Sequence, residues 1–262
     1  MILSVQNLDF SYGTKKALSE ISFSMEKGEL LCVMGPNGSG KSTLIDTILN
    51  LHRPEKGRIL LDGTEVSFLS RPAIAKKASY VPQNHSVTFP YTVREMVLMG
   101  RNDYVSPFGV PPETDHERCD DALNRVGLLE LADRTCNTLS GGELRLVLLA
   151  RALCQNAPLI LMDEPTAHLD YRNELIFLET IGSLCREDGI SILLATHAPE
   201  QAFYLEAREL PVTAMFLKEG SLYQTGRPSE IITPELLQEV YGIRAKIIDS
   251  DGEKTILRQK AL

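Results

Sequence analysis

What this chain has little of is paired cysteine, positive charge and long apolar stretches. Its five cysteines, at positions 32, 119, 136, 154 and 185, are scattered and include no C-x-x-C spacing. That argues against a zinc site or a disulfide framework and fits a reducing cytoplasm. Lys and Arg number 27 against 35 Asp and Glu, a formal net charge of −8, so no nucleic-acid-coating surface is expected, although a local basic patch is not excluded. No segment approaches the roughly 18 apolar residues that span a bilayer. The N-terminus, MILSVQNLDFSYG, lacks the basic start, apolar stretch and cleavage site of a secretory signal. Any work at a membrane is therefore expected to go through partners. There is no internal repeat and no low-complexity segment, so one functional unit per chain is expected. A length of 262 residues with 43% hydrophobic content suits one large or two modest domains with a substantial core.

What is present centres on residues 35–42: Gly35, Pro36, Asn37, Gly38, Ser39, Gly40, Lys41 and Ser42, followed by Thr43. They match the phosphate-binding loop in which two glycines bracket four variable positions before Lys-Ser. A random chain of this length shows the pattern roughly once in a hundred, so context has to support it. Residues 29–34 form a nearly continuous apolar run, as in a strand buried on both faces, and 41–50 places Leu44, Ile45, Ile48 and Leu49 at helical spacing. Strand, glycine loop, helix is the required order. Gly38 and Gly40 let backbone N–H groups turn inward around a β-phosphate, Lys41 brings an ammonium to the β/γ-phosphates, and Ser42 offers a hydroxyl to Mg²⁺.

The rest of the chain reads as an alternation of strands and helices. Residues 1–34 read as strands, with Ile21, Phe23 and Met25 alternating, and Tyr12 in the turn-like Ser11-Tyr12-Gly13 is either a stacking face for a purine or an ordinary strand-end tyrosine. Residues 57–61 and 78–81 read as further strands, the second leading into Pro82-Gln83. The pattern between 84 and 140 is helical, at 92–100, 113–126 and about 128–132, around a Pro/Gly-rich loop at 101–112. Leu139-Ser140-Gly141-Gly142-Glu143 opens an almost wholly apolar helix to 153, with Ser140 as N-cap and glycines that let an anion approach the amides. The run 159–162 ends in Asp163 and Glu164, two carboxylates at the C-terminal edge of a parallel sheet, where ligands of such sheets bind. A helix at 171–187, with its stripe at Leu175, Leu178, Ile181 and Leu184, precedes a strand at 191–196 that delivers His197. A strand pair around Glu219-Gly220, a helix at 234–241 and a hairpin turning at Asp251-Gly252 complete the chain. The expected fold class is α/β, a mainly parallel sheet flanked by helices.

In this order the motifs resemble the nucleotide-binding subunit of ATP-binding cassette (ABC) transporters, over nearly the whole chain. The matching residues are Tyr12, 35–43, Gln83, the signature 139–143, 159–164, Leu169-Asp170 and His197. The resemblance implies a P-loop NTPase core of about 1–83 and 155–240 with an N-terminal antiparallel β-subdomain. It also implies an inserted helical subdomain at about 84–154 and a C-terminal β extension at 241–262. The implied activity is Mg²⁺-dependent ATP hydrolysis. Adenine would stack on Tyr12, Ser42 and Asp163 would hold the ion with Gln83 beside it, Glu164 would polarise the attacking water, and His197 would hold the γ-phosphate. The implied assembly is a head-to-tail dimer in which Ser140, Gly141 and Gly142 of a second copy close over the nucleotide, with Asp170 alongside.

Residues 89–101 and 232–242 are similar to the importer branch that serves iron–siderophore complexes, haem and cobalamin. That implies a separate membrane permease fed by a solute-binding protein, a peripheral position on the cytoplasmic face of the membrane, and a docking surface near 84–110. Some positions depart from the family pattern: Leu144 and Leu146 stand where polar or basic residues are usual, Ala198 stands where an acid is usual, and 199–211 is long. The alternatives are an ABC ATPase for another substrate such as an oxyanion or a metal ion, an exporter, or a non-transport ABC protein working on ribosomes or DNA.

Overall fold

The computed structural model describes residues 1–83, 89–102, 111–250 and 252–262. They divide into two compact units, Met1–Leu69 with Gly182–Leu262, and Ser70–Ile181; the division falls within one helix, Tyr171–Asp188.

In the first unit an antiparallel sheet runs in the order Lys15–Met25, Leu3–Tyr12, Lys56–Leu61, Thr64–Glu65. Leu3 lies opposite both Met25 and Leu61, and Val5 opposite both Phe23 and Ile59. The alternation places Leu3, Val5, Ile21, Met25, Ile59 and Leu61 in the core. Beside this sheet's strands in sequence, Leu30–Met34 pairs in parallel with Ser191–Thr196 and with Val212–Lys218, and Ser221–Gly226 runs antiparallel to the latter. Every residue of Leu30–Met34 and Ser191–Thr196 is buried, which is why the first is an unbroken apolar run and the second is apolar between Ser191 and Thr196. Each fully buried Leu or Ile contributes about 1.5–3 kcal/mol. The helix Lys41–Ile48 follows the first of these strands and buries Leu44, Ile45 and Ile48. The helix Pro234–Tyr241 is capped by the Thr233 side chain and ends at Gly242 with φ 65°. The hairpin Ile243–Ser250 and Glu253–Ala261 closes the chain, and its turn residue Asp251 lies outside the described residues.

The second unit contains the parallel pair Ala78–Val81 and Leu159–Asp163, with Val81 opposite Met162. Its helices Val93–Leu98 and Glu113–Arg125 both pack on Gly141–Cys154. Gly100 approaches so closely that a Cβ there would lie 2.3 Å from the Arg151 carbonyl oxygen. Arg101, buried, is neutralised by Asp115 at 2.7 Å and also donates to the Cys154 carbonyl at 3.3 Å. Such a pair is costly to break from one side, about 3–5 kcal/mol.

Parallel pairings predominate in the strands that follow the antiparallel N-terminal subdomain, and the helical region is inserted in sequence between Ala78–Val81 and Leu159–Asp163. This is the α/β class expected. One detail differs: Leu175 is 43% exposed, and the buried stripe of its helix is Phe177, Leu178, Ile181, Leu184 and Cys185. Residues 199–211, long by the family pattern, hold a helix at Glu200–Glu206. Among the described residues no helix is long and apolar enough to cross a membrane.

Candidate nucleotide site

In the first unit the buried strand Leu30–Met34 runs into the glycine loop. The loop closes on itself through Ser39 N to Pro36 O at 3.1 Å, and Gly220 N donates to Ser39 O at 3.1 Å. Gly40 carries the turn into the helix at φ 106°, where a Cβ would lie 2.8 Å from the Ala17 carbonyl; only glycine is at ease there. Lys41 is 5% exposed, and its Nζ donates to Gly35 O at 2.9 Å and Pro36 O at 3.2 Å. Asn37, Gly38 and Ser42 face solvent.

Two observations test whether this loop suits a polyphosphate. Ser39 Oγ is buried with no hydrogen-bond partner among the described residues, a costly state that a ligand oxygen relieves. The helix Lys41–Ile48 begins with no side-chain cap and no acidic residue in its first turn, so its positive end is left for an external anion. The loop fits the group. His197 follows the strand Ser191–Thr196 and is exposed, with Thr196 Oγ1 accepting from Ala198 N at 3.1 Å. Tyr12 is also in this unit and half exposed, with its hydroxyl and His52 Nε2 hydrogen-bonded at 3.0 Å.

In the second unit, the register of Val81 with Met162 sets Pro82-Gln83 beside Asp163-Glu164. Gln83 Nε2 donates to Glu164 Oε2 at 3.1 Å. Both carboxylates are buried, Asp163 at 4% and Glu164 at 9% exposure. Glu164 holds φ 44° and His168 φ 67°, left-handed values that cost a non-glycine residue about 1–3 kcal/mol and concentrate at functional sites. Arg145, from the signature helix, donates to Pro82 O at 3.2 Å, and burial lowers its pKa from the ordinary value.

The signature helix Gly141–Cys154 is closed by a capping box. Ser140 Oγ accepts from Glu143 N at 3.3 Å, while Glu143 Oε2 accepts from Ser140 N and from Ser140 Oγ, both at 2.7 Å. The backbone bond from Ser140, then its hydroxyl, hold the Glu143 carboxyl below the usual carboxylate range. Gly142 lies against Asn173, where a Cβ would be 2.5 Å from Cγ. Asp170 Oδ1 accepts from Asn173 N at 2.8 Å and Oδ2 from Asn173 Nδ2 at 2.9 Å. Asn173 thus links Asp170 to the start of the signature helix.

Each unit offers oxygen donors of the kind Mg²⁺ prefers: the exposed Ser42 hydroxyl in the first, and the Asp163 carboxylate and Gln83 amide oxygen in the second. Among the described residues no cluster of three or more His, Cys, Asp or Glu is arranged for a metal.

The structure brings Gln83 to Glu164, and Asp170 to Gly142 through Asn173. It places Tyr12, the glycine loop and His197 in the other unit. Asn173 and Arg145 went unread in the sequence because nothing local marks them. Ser140 was read as the N-cap, but its partner Glu143, the last residue of an S-x-x-E pattern, was not.

The family model described as ABC transporter matches residues 18–167, more than half of the chain. The chain belongs to the ABC transporter family and is an ABC-type ATPase. It is 37% identical to the cobalamin import ATP-binding protein BtuD of Halobacterium salinarum over 94% of its own length, spanning 60% of that protein. It is 33% identical to the iron(3+)-hydroxamate import ATP-binding protein FhuC of Bacillus subtilis, covering 94% of itself and 90% of FhuC. It is 34% identical to the molybdate import ATP-binding protein MolC of Haemophilus influenzae, covering 91% of itself and 87% of MolC. Among solved structures, an inward-facing ABC transporter of metal-chelate type superposes with a TM-score of 0.84 at 31% identity, over 98% of this chain and 96% of that one. The dimeric ABC transporter cassette MJ0796 superposes at 0.74 with 27% identity, over 87% and 99%.

Proposed function

We propose that the chain is the ATP-hydrolysing subunit of a metal-chelate importer. It works as a dimer that sandwiches ATP, on the cytoplasmic face of the membrane, against a separate permease supplied by a solute-binding protein. The observation that carries the hydrolytic reading is the Gln83–Glu164 hydrogen bond at 3.1 Å on a Glu164 held in left-handed backbone. It orients a buried carboxylate, the kind of group that can polarise an attacking water. In this reading Lys41 and the loop amides hold the phosphates, and Ser140 to Gly142 of the second copy meet the γ-phosphate. Ser42 and Asp163 hold Mg²⁺, with Gln83 beside it. His197 fixes the γ-phosphate and Asp170 sets the signature helix through Asn173. Mg²⁺, when bound with nucleotide, supplies charge neutralisation at the β- and γ-phosphates. Steady-state phosphate release tests the assignment: Glu164→Gln is expected to lower turnover by about 10²–10⁴-fold while ATP binding persists, and normal turnover contradicts it.

The cargo rests on the relatives that handle cobalamin and iron(3+)-hydroxamate. The docking surface expected near 84–110 falls in part on 84–88 and 103–110, outside the described residues. MolC, which handles molybdate, is as similar as FhuC, and this favours an oxyanion importer as the second reading. The subunit touches ATP and permease but never cargo, so the two readings separate only in the assembled complex. The chelate or oxyanion whose binding protein stimulates hydrolysis decides between them.

A further inference from the structure

Tyr12 and His52 are 40 residues apart in sequence, yet they form one aromatic cluster with Phe10. The Tyr12 ring meets Phe10 edge-on, centroids 4.9 Å apart at 89°. His52 stacks on Phe10 at 5.0 Å and 16° and faces Tyr12 edge-on at 5.3 Å and 88°. The Tyr12 hydroxyl is tied to His52 Nε2 at 3.0 Å. The same nitrogen lies 3.7 Å from Asp46 Oδ2, and Asp46 is on the helix Lys41–Ile48. Leu51 N, donating to Asp46 O at 2.9 Å, fixes the segment that carries His52.

A tyrosine that is 49% exposed loses side-chain freedom when a base stacks on it, and that loss is subtracted from affinity. A ring already held by a neighbour loses less. We propose that His52 is a positioning residue for the nucleotide base: it fixes the plane of Tyr12, and the Leu51 N–Asp46 O bond ties its segment to the helix that bears Lys41 and Ser42. Base and phosphates are then registered against one rigid element. The ligand class is an adenine nucleotide, and the proposal rests on the reading of Tyr12 as the adenine platform.

The chain contains no tryptophan, so Tyr12→Trp in the full chain introduces a single indole whose emission reports stacking. Titration with ATP is expected to change that emission, and titration with inorganic tripolyphosphate is not. An indole silent toward ATP overturns the platform reading, and this proposal with it. Equilibrium affinities then isolate His52. Tyr12→Phe, which removes only an oxygen, is expected to weaken ATP about threefold, the scale of a neutral hydrogen bond. His52→Ala is expected to weaken ATP about fivefold, within what loss of a base platform allows. Neither changes tripolyphosphate affinity. In the His52→Ala background Tyr12→Phe adds nothing, the non-additivity of a shared interaction, and His52→Gln, which keeps a polar partner for the phenol, recovers part of the loss. If the Tyr12→Trp indole responds to ATP but His52→Ala leaves ATP affinity intact, weakens tripolyphosphate equally, or multiplies with Tyr12→Phe, the platform stands and the role of His52 is overturned.

Discussion

The two helix N-termini that the proposed reading assigns to phosphate are finished in opposite ways. The helix Lys41–Ile48 starts from a left-handed Gly40 with neither a side-chain cap nor a first-turn acid. The helix Gly141–Cys154 starts from Ser140 in a complete capping box, with Glu143 in its first turn. At the first, neither a side-chain cap nor a first-turn acid meets the positive end of the dipole, and Lys41 Nζ is held beside it by the Gly35 and Pro36 carbonyls. At the second the chain supplies its own anion, the Glu143 carboxylate on Ser140 N and Oγ. The glycine loop is thus built to hold phosphate by itself. The signature end is capped by the chain itself, and the box engages the Ser140 and Glu143 amides, not those of Gly141 and Gly142. On the proposed reading this orders events: nucleotide binds at the loop, and the second copy closes over it afterwards.

The comparison breaks most visibly where charge is removed from the loop. Lys41→Ala is expected to cost about 10²–10³-fold in turnover, read by steady-state phosphate release; a loss below tenfold leaves the loop no stronger than the signature end. Backbone differences come next. Gly40→Ala forces a Cβ to 2.8 Å from Ala17 O and 3.0 Å from Leu18 Cδ2 at φ 106° and should destabilise by about 1–3 kcal/mol. Gly141→Ala meets nothing within 4 Å and should stabilise by about 0.4–1 kcal/mol. Urea midpoints of opposite sign are expected, and shifts of the same sign erase the contrast. The smallest effect belongs to Glu143→Gln, which keeps the box but removes a negative charge facing the incoming phosphate. ATP-driven association should tighten about two- to fivefold, the scale of a charge at a helix end, 0.3–1 kcal/mol.

The pH dependence of that cap sharpens the same point. The folded-state pKa of Glu143 is depressed by the bonds from Ser140, so its capping contribution is full above the ordinary carboxylate range and is lost as pH falls through the depressed value. Amide exchange at the start of the signature helix should therefore accelerate, beyond its intrinsic pH dependence, in that acidic window, and Glu143→Gln should remove the effect.

The strand Leu30–Met34 was legible in the sequence because a strand buried on both faces is apolar throughout; Ala78–Val81 and Ser191–Thr196 were legible as short runs between turn signals. The helix Pro234–Tyr241 was legible through its Thr-Pro start and Gly242 stop. The stripe through Leu175 was misassigned, since a spacing of three or four selects a face but does not say which residue at its edge meets solvent. The short helices Arg71–Ala75 and Glu200–Glu206 span too few turns to show periodicity. At the site, the motifs singled out the candidate residues of the glycine loop, Gln83, Asp163, Glu164 and His197. They did not reveal how Asn173 joins Asp170 to Gly142, or how His52 reaches Tyr12, because those contacts exist only once the chain is folded.

The central claim is that one chain holds two half sites that only a second copy completes. Gly141→Asp in the hydrolysis-blocked Glu164→Gln chain tests it most directly. Gly141 is exposed with nothing within 4 Å of its Cβ position, and an acid in a helix's first turn is favourable, so the fold tolerates the change while the new carboxylate repels a γ-phosphate. The measurement is molar mass in solution at saturating ATP, with ATP affinity determined on the same samples. The parent is expected to double from 29.1 kDa, whereas the Gly141→Asp chain stays at monomer mass with ATP affinity within about twofold of the parent. A Gly141→Asp chain that still doubles its mass with ATP, or that has lost ATP as a monomer, contradicts the account.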